Sequence, residues 1–207
     1  IIEKLVEKGI YDVLYVGRKT SFEGDRSKSL EYTTCQKLQI PFYAITAARF
    51  QRSVSVWFFL SLLKFPVGVI QSLFIIRKKR PFAVITFGGY IALPVALAAI
   101  VLKVPFLIHE QTSVMGITNR ILSRCAKWVC IAWENTKNIP KDIQTIYTGN
   151  LLRNDFIENR KTNITDFGSK QLPLLYITGG SQGSVSINRI VAPIVPRLVQ
   201  KYRVLHQ

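Results

Sequence analysis

The stretch from Ala83 to Arg120 leaves this chain few folds to choose from. A short apolar run, Ala83 to Thr86, leads into Gly88-Gly89, an apolar segment continues to about Leu102, and after Pro105 the run Phe106 to Ile108 is again β-prone. Strand, glycine turn, helix and strand in that order form a βαβ unit, because parallel neighbours need a crossover between them. The two glycines let the backbone turn tightly and approach a ligand with no Cβ in the way. Pro94 falls where such a helix can begin, since its missing N–H has no partner in a first turn anyway. His109-Glu110-Gln111 then emerges at a strand's carboxyl end, the edge at which open α/β sheets hold their ligands.

The same order returns further on. Leu174 to Thr178 reads as a strand, Gly179-Gly180-Ser181-Gln182-Gly183-Ser184 as a second turn, Val185 to about Lys201 as a helix, and a last strand starts at Arg203. Two glycine-bearing strand-to-helix turns in successive α/β segments predict two Rossmann-like domains facing one another. The first, residues 1–152, opens without its first strand: IIEKLVEKG reads as a helix closed by Gly9, and Tyr11 to Val16 as the strand after it. Residues 153–207 read as the start of the second domain. Within the first, helices are expected at Ser29 to Leu38 and Ile117 to Ala126. Strands are expected at Pro41 to Ile45, Val129 to Ala132 and Thr145 to Tyr147.

Residues 49–80 carry the strongest surface signal. The run from Val54 to Ile76 is long enough to suggest a membrane span, yet Lys64, Pro66 and Gln71 interrupt it. A charge near a span's centre costs roughly 2.5 to 3.5 kcal/mol. The reading is therefore one or two helices, broken near Pro66, with one side in the core. Arg49 and Arg52 precede the run, Arg77, Lys78, Lys79 and Arg80 follow it, and no Asp or Glu occurs between Glu31 and Glu110. Trp57, Phe58, Leu62 and Phe65 beside that rim would make a peripheral patch for an anionic membrane surface. The net charge of +16, from 28 basic and 12 acidic residues, asks for an anionic partner of some kind. Nucleic acid is the less favoured one, because the basic clusters flank an apolar helix and are not interleaved with aromatics along one face.

A glycine turn that opens a helix offers free backbone N–H groups and the positive end of the helix dipole, a seat for phosphate. Neither turn is a Walker A loop or a G-x-G-x-x-G fingerprint, which argues against an NTPase or a dinucleotide enzyme. His109-Glu110 does not extend to H-E-x-x-H, because position 113 is Ser113 and His206 is the other histidine. The three cysteines, Cys35, Cys125 and Cys130, form no C-x-x-C pair. No metal and no cofactor are expected. His109 and Glu110 are then either a hydrogen-bonded structural pair or groups for acid–base work and substrate orientation. Asn119 is a capping or packing residue, and Arg153 a surface charge or, near a diphosphate, an electrostatic clamp.

TFGGYIALPVALAA, FLIHEQTSVMGITNRILSR, YTGNLLR and ITGGSQGSVSIN together resemble, in order and spacing, the MurG family of bacterial cell-wall glycosyltransferases. The resemblance implies a GT-B fold and an inverting transfer of N-acetylglucosamine from UDP-GlcNAc to the muramoyl C4 hydroxyl of lipid I, giving lipid II. It also implies peripheral attachment to the cytoplasmic face of the plasma membrane. Gly88, Gly89, Tyr90 and Asn119 would serve the acceptor, with His109 and Glu110 as catalytic residues in the cleft. Thr112, Arg153, Ser181, Gln182, Gly183 and Asn188 would serve the donor, Thr112 standing where the family has Asn. The family's first glycine loop, with the histidine considered for base catalysis, would precede Ile1, and the sugar-nucleotide pocket would follow Gln207. These 207 residues alone are accordingly expected to have little or no transferase activity. Two alternatives share the basic apolar patch: another GT-B lipid glycosyltransferase, such as one acting on diacylglycerol, and a non-catalytic module that binds membrane surfaces.

Overall fold

The computed structural model describes residues 2–20, 28–47, 56–152, 172–180 and 183–207, with backbone alone over 56–63. It contains two compact units, Ile1–Leu151 and Leu152–Gln207. The first runs α1 (Ile2–Lys8), β1 (Tyr15–Gly17), α2 (Leu30–Lys37), β2 (Phe42–Ala44), α3 (Val56–Lys79), β3 (Val84–Thr86), α4 (Gly89–Val101), β4 (Phe106–Glu110), α5 (Ile117–Leu122), β5 (Trp128–Ile131) and β6 (Ile146–Tyr147). Strands β1 and β2 pair with each other, and β3-β4-β5-β6 form a four-stranded sheet in that order. Every one of these pairings is parallel. A parallel sheet needs cover on its faces, and the apolar strands and helices supply it.

The core of this unit is made from α4 and the strands beside it: Val95, Ala96, Ala98 and Ala99 meet Phe106, Ile108 and Leu122, with Ile45 and Ile76 closing the cluster. Alanines on α4 let α3 come close. Gly68, Ser72 and Ile76, spaced one turn apart, form the buried stripe of α3. Ser72 returns its hydroxyl proton to the Gly68 carbonyl at 2.7 Å, which leaves no polar group open in the contact. Gln71 accepts from the Thr46 backbone N–H at 2.7 Å and so ties the chain after β2 to the same helix.

The second unit contains β7 (Leu174–Ile177), α6 (Val185–Val191), a 3-10 turn (Ala192–Ile194), a short helix (Val195–Leu198) and β8 (Arg203–His206). Strands β7 and β8 pair in parallel from Leu174↔Arg203 to Ile177↔His206.

Proline placement differs from expectation three times. Pro94 does not start α4; the helix begins at Gly89 and Pro94 lies inside it, because the glycine turn itself redirects the chain and the first turn forms immediately. Pro66 does not break α3, which is continuous over 24 residues. A proline removes one helical bond, and here the packing of the helix on α4 outweighs that loss. The expected helix from Val185 to Lys201 is instead three short pieces, with Pro193 in the 3-10 turn and Pro196 in the helix after it. Ser29, expected inside α2, is its N-cap and accepts from Tyr32 N–H at 3.2 Å. Helix α5 stops at Leu122, short of Ala126. Among the described residues, no helix is long and apolar enough to cross a membrane.

Candidate active site

The site is built at the carboxyl ends of β3 and β4. Thr86 ends β3, and its hydroxyl accepts the Gly88 backbone N–H at 3.3 Å. Gly88 and Gly89 both have positive φ, +82° and +79°, a conformation open to glycine at no steric cost. Helix α4 therefore starts with its amides at the edge of the sheet. Gly88 is its N-cap and provides no side-chain cap. A second constraint holds at Gly88: a Cβ there would lie 2.8 Å from both amide atoms of Asn119.

Glu110, the last residue of β4, is only 5% exposed and accepts four hydrogen bonds from its own chain. Oε1 takes the Thr112 N–H at 3.0 Å and the Thr112 hydroxyl at 2.7 Å. Oε2 takes the Gly116 N–H at 2.9 Å and the Asn119 Nδ2 at 2.9 Å. Burial by itself would raise the pKa of this carboxyl; the donors at Gly116, Thr112 and Asn119 outweigh it and hold the pKa below the ordinary range. An ionised carboxylate with both oxygens occupied is a weak proton acceptor. It is well suited to fixing the loop from Thr112 to Gly116 and the start of α5. Thr112 thus turns its hydroxyl inward, within 2.7 Å of Glu110 Oε1 and 2.7 Å of the Val114 carbonyl.

His109 is 3% exposed. Its Nε2 lies 3.1 Å from Thr148 Oγ1 and 3.3 Å from the Gly149 carbonyl. A carbonyl only accepts, so the contact with Gly149 is a hydrogen bond when Nε2 carries a proton. Nδ1 is buried with no partner among the described residues. The imidazole therefore holds the chain after β6, where Gly149 has φ +71°. Neither His109 nor Glu110 presents a free reactive atom at the surface.

Tyr90, in the first turn of α4, accepts a hydrogen bond from Arg18 Nη1 at 3.0 Å. The same guanidinium lies 5.9 Å from the centre of the tyrosine ring. Arg18 follows β1 directly and has no carboxylate partner among the described residues. It places a cation beside the glycine turn, and sequence reasoning passed over it, because nothing local links positions 72 residues apart.

The second unit repeats the turn. Thr178 follows β7, its hydroxyl accepts the Gly180 N–H at 3.1 Å, and Gly180 has φ +82°. A Cβ at Gly179 would collide with the Ser184 backbone nitrogen. Ser184 caps α6 by accepting from Ile187 N–H at 3.3 Å. Asn188 Oδ1 accepts from His206 Nε2 at 3.0 Å. The shared T-x-G spacing, Thr86 to Gly88 and Thr178 to Gly180, is a signal that the sequence does hold. Arg153, Ser181 and Gln182 lie outside the described residues, and among those described no His, Cys, Asp and Glu cluster could hold a metal.

On α3 the side chains of Trp57, Phe58 and Leu62 are likewise outside the description, and Phe65 is half-buried. Among the described side chains of α3, the exposed large apolar ones are Val67, Ile70 and Phe74, the last 72% exposed. Their spacing puts them on one helical face, and the exposed Arg77 and Lys78 continue that face. Lys79 turns toward the Tyr43 ring, 5.2 Å from its centre. Arg80, exposed as well, closes the helix with φ +45°.

Parallel sheets whose strands end in glycine turns that open helices, one such turn in each unit, put the chain in the Rossmann-like α/β class. Residues 13–131 match the glycosyltransferase family 28 N-terminal domain, and the chain belongs to that family. A UDP-N-acetylglucosamine--N-acetylmuramyl-(pentapeptide) pyrophosphoryl-undecaprenol N-acetylglucosamine transferase of Natranaerobius thermophilus is 34% identical over 98% of this chain and 54% of its own length. The enzyme of that name from Staphylococcus carnosus is 30% identical over 97% of this chain and 54% of its own. The chain thus spans about half the length of the curated relatives it matches. Among solved structures, Acinetobacter baumannii MurG superposes with a TM-score of 0.62 at 27% identity, over 99% of this chain and 54% of that one. A UDP-GlcNAc 2-epimerase from Neisseria meningitidis reaches 0.54 at 15% identity, over 84% of this chain and 54% of its own. That second likeness bears on the fold alone, and the fold is GT-B-like.

Proposed function

We propose that this chain is the acceptor-side part, with the start of the donor-side part, of an inverting transferase. It would move N-acetylglucosamine from UDP-GlcNAc to lipid I, giving lipid II. The observation that carries the reading is the Gly88 turn: two positive-φ glycines, the start of α4 and the Arg18–Tyr90 pair converge on one sheet edge in the region that matches the family. Such a constellation suits the diphosphate of a lipid-linked acceptor. In the reaction, the acceptor's C4 oxygen attacks the anomeric carbon, the bond to UDP breaks with inversion, and the hydroxyl proton passes to a base. Glu110 and His109 have their accessible atoms committed within the fold, so we assign them to holding the site, and the proton to another group. On the donor side the reading retains Arg153, Ser181, Gln182, Gly183 and Asn188, with the second turn's amides stabilising charge on the leaving diphosphate. Residues 1–152 and 153–207 would be the two domains' shares of this chain.

We further propose that the enzyme sits at an anionic membrane surface through α3. Val67, Ile70 and Phe74 would enter the interface, with Arg77 and Lys78 contacting acidic head groups.

Acceptor choice tests the function. The full-length protein should transfer N-acetylglucosamine to a soluble lipid I analogue and not to diacylglycerol, and Arg18→Ala should weaken use of that analogue by about tenfold, near the loss of one charge-assisted contact. Preference for diacylglycerol would favour the other GT-B reading instead.

A further inference from the structure

The two glycine turns differ at their threonines. Thr86, before the first turn, is buried. Thr178, in the same place after β7, is exposed, and an exposed hydroxyl rotates unless its proton has a partner. Here it has one. Gly180 donates its N–H to Thr178 Oγ1 at 3.1 Å, and the threonine O–H donates in turn to Gln207 Oε1, also at 3.1 Å. The order of donors is set by the first of them: a backbone N–H only donates, so the Thr178 oxygen accepts there and its own proton is free for the glutamine. Tyr176 donates to the same Oε1 at 2.6 Å, which puts two donors on the two lone pairs of one carbonyl oxygen. Strand pairing brings Gln207 within reach. Its N–H donates to the Ile177 carbonyl at 2.9 Å, one residue past the last ladder pair, Ile177↔His206.

We propose that Gln207 is a positioning residue for the second glycine turn. By taking the Thr178 proton it aims a Thr178 lone pair at the Gly180 N–H, and so holds Gly180 at the turn with φ +82°. His206, its neighbour, donates from Nε2 to Asn188 Oδ1 at 3.0 Å. The end of β8 is therefore bonded both to the residue that leads into the turn and to the helix that follows it. The relay from Gly180 through Thr178 to Gln207 follows from the geometry of the second unit. Its bearing on donor use rests on the reading of this turn as the place of the donor diphosphate, and Gln207 acts there through Thr178.

Hydrogen exchange and kinetics of the full-length protein test it. Gln207→Met keeps the side chain's length and removes its acceptor, and Thr178→Val removes the middle of the relay. Each should speed amide exchange in a peptide carrying Gly180 by about three- to tenfold, the loss of one hydrogen bond. Each should raise the KM for UDP-GlcNAc by a similar factor and leave the KM for a soluble lipid I analogue unaltered. Two conservative variants should restore slow exchange: Thr178→Ser, which keeps the hydroxyl, and Gln207→Glu, whose carboxylate still accepts from both hydroxyls. Since the two losses belong to one relay, the double variant Thr178→Val with Gln207→Met should be no worse than the poorer single one. Losses that multiply, or Gly180 exchange unmoved by Gln207→Met, overturn the proposal. Both side chains are exposed, so these variants leave the core intact. Faster exchange with an unaltered KM for UDP-GlcNAc keeps the relay and removes the diphosphate from this turn. Absence of any transfer from UDP-GlcNAc by the unmodified protein would count against the proposed function, and the exchange results would still decide the relay.

Discussion

Glu110 shows how a residue that looks reactive in a sequence can have both carboxylate oxygens bonded within its own chain. Its place after a β-prone run, next to a histidine, was legible from the residues. Its four donors were not, because Thr112, Gly116 and Asn119 reach it only once the loop after β4 has turned back. The depressed pKa gives a test with a defined sign. A folded-state pKa below the unfolded one, about 4.3, contributes stability that is fully present above the unfolded value and is lost as pH falls through the folded value. Glu110→Gln should lower unfolding stability by about 2–3 kcal/mol at pH 7, since one amide N–H is then forced against a donor. Denaturant titrations at neutral pH and at about pH 3 should show that gap narrowing in acid. An undiminished gap would mean that the ionised form is not what the donors hold.

At the scale of elements, α3 and α4 form a contact that depends on small residues. Gly68 is the case to test, because helix propensity and packing predict opposite signs. Alanine in place of glycine inside a helix normally gains about 1 kcal/mol. Here the added Cβ would run into the Thr46 carbonyl oxygen, and overpacking of that kind costs about 1–3 kcal/mol. Gly68→Ala should therefore destabilise, as measured by thermal unfolding; a rise in stability would refute the close approach of α3 to the chain after β2. The apolar, amphipathic character of α3 could be read directly from its residues. Which of its residues face outward could not, since a long apolar run offers several faces and the partner helix selects one.

For the molecule as a whole, charge and apolar surface act together. A net charge of +16 attracts the chain to any anionic surface, and the Val67–Ile70–Phe74 stripe adds an apolar contribution that salt does not screen. Co-sedimentation with vesicles containing acidic lipid should decline as salt rises, yet keep a residual component. Replacing Ile70 and Phe74 together with Ser should abolish that residual and weaken binding at low salt by about a hundredfold or more, each buried large side chain contributing about 1.5–3 kcal/mol. Binding that vanishes in salt with both residues intact would make the attachment purely electrostatic.

By itself, the sequence determined the order of strands and helices, both glycine turns and the basic apolar helix, since all of these rest on local periodicity and on backbone freedom at glycine. It misjudged the prolines, because propensity marks where a helix is costly and tertiary contact decides whether that cost is met. Only the tertiary structure decided that Arg18 stands at Tyr90, that Asn119 lies under Gly88, and that Glu110 is saturated by donors. Each of these joins residues from different elements, and no local pattern encodes a distance that exists only after the sheet has assembled.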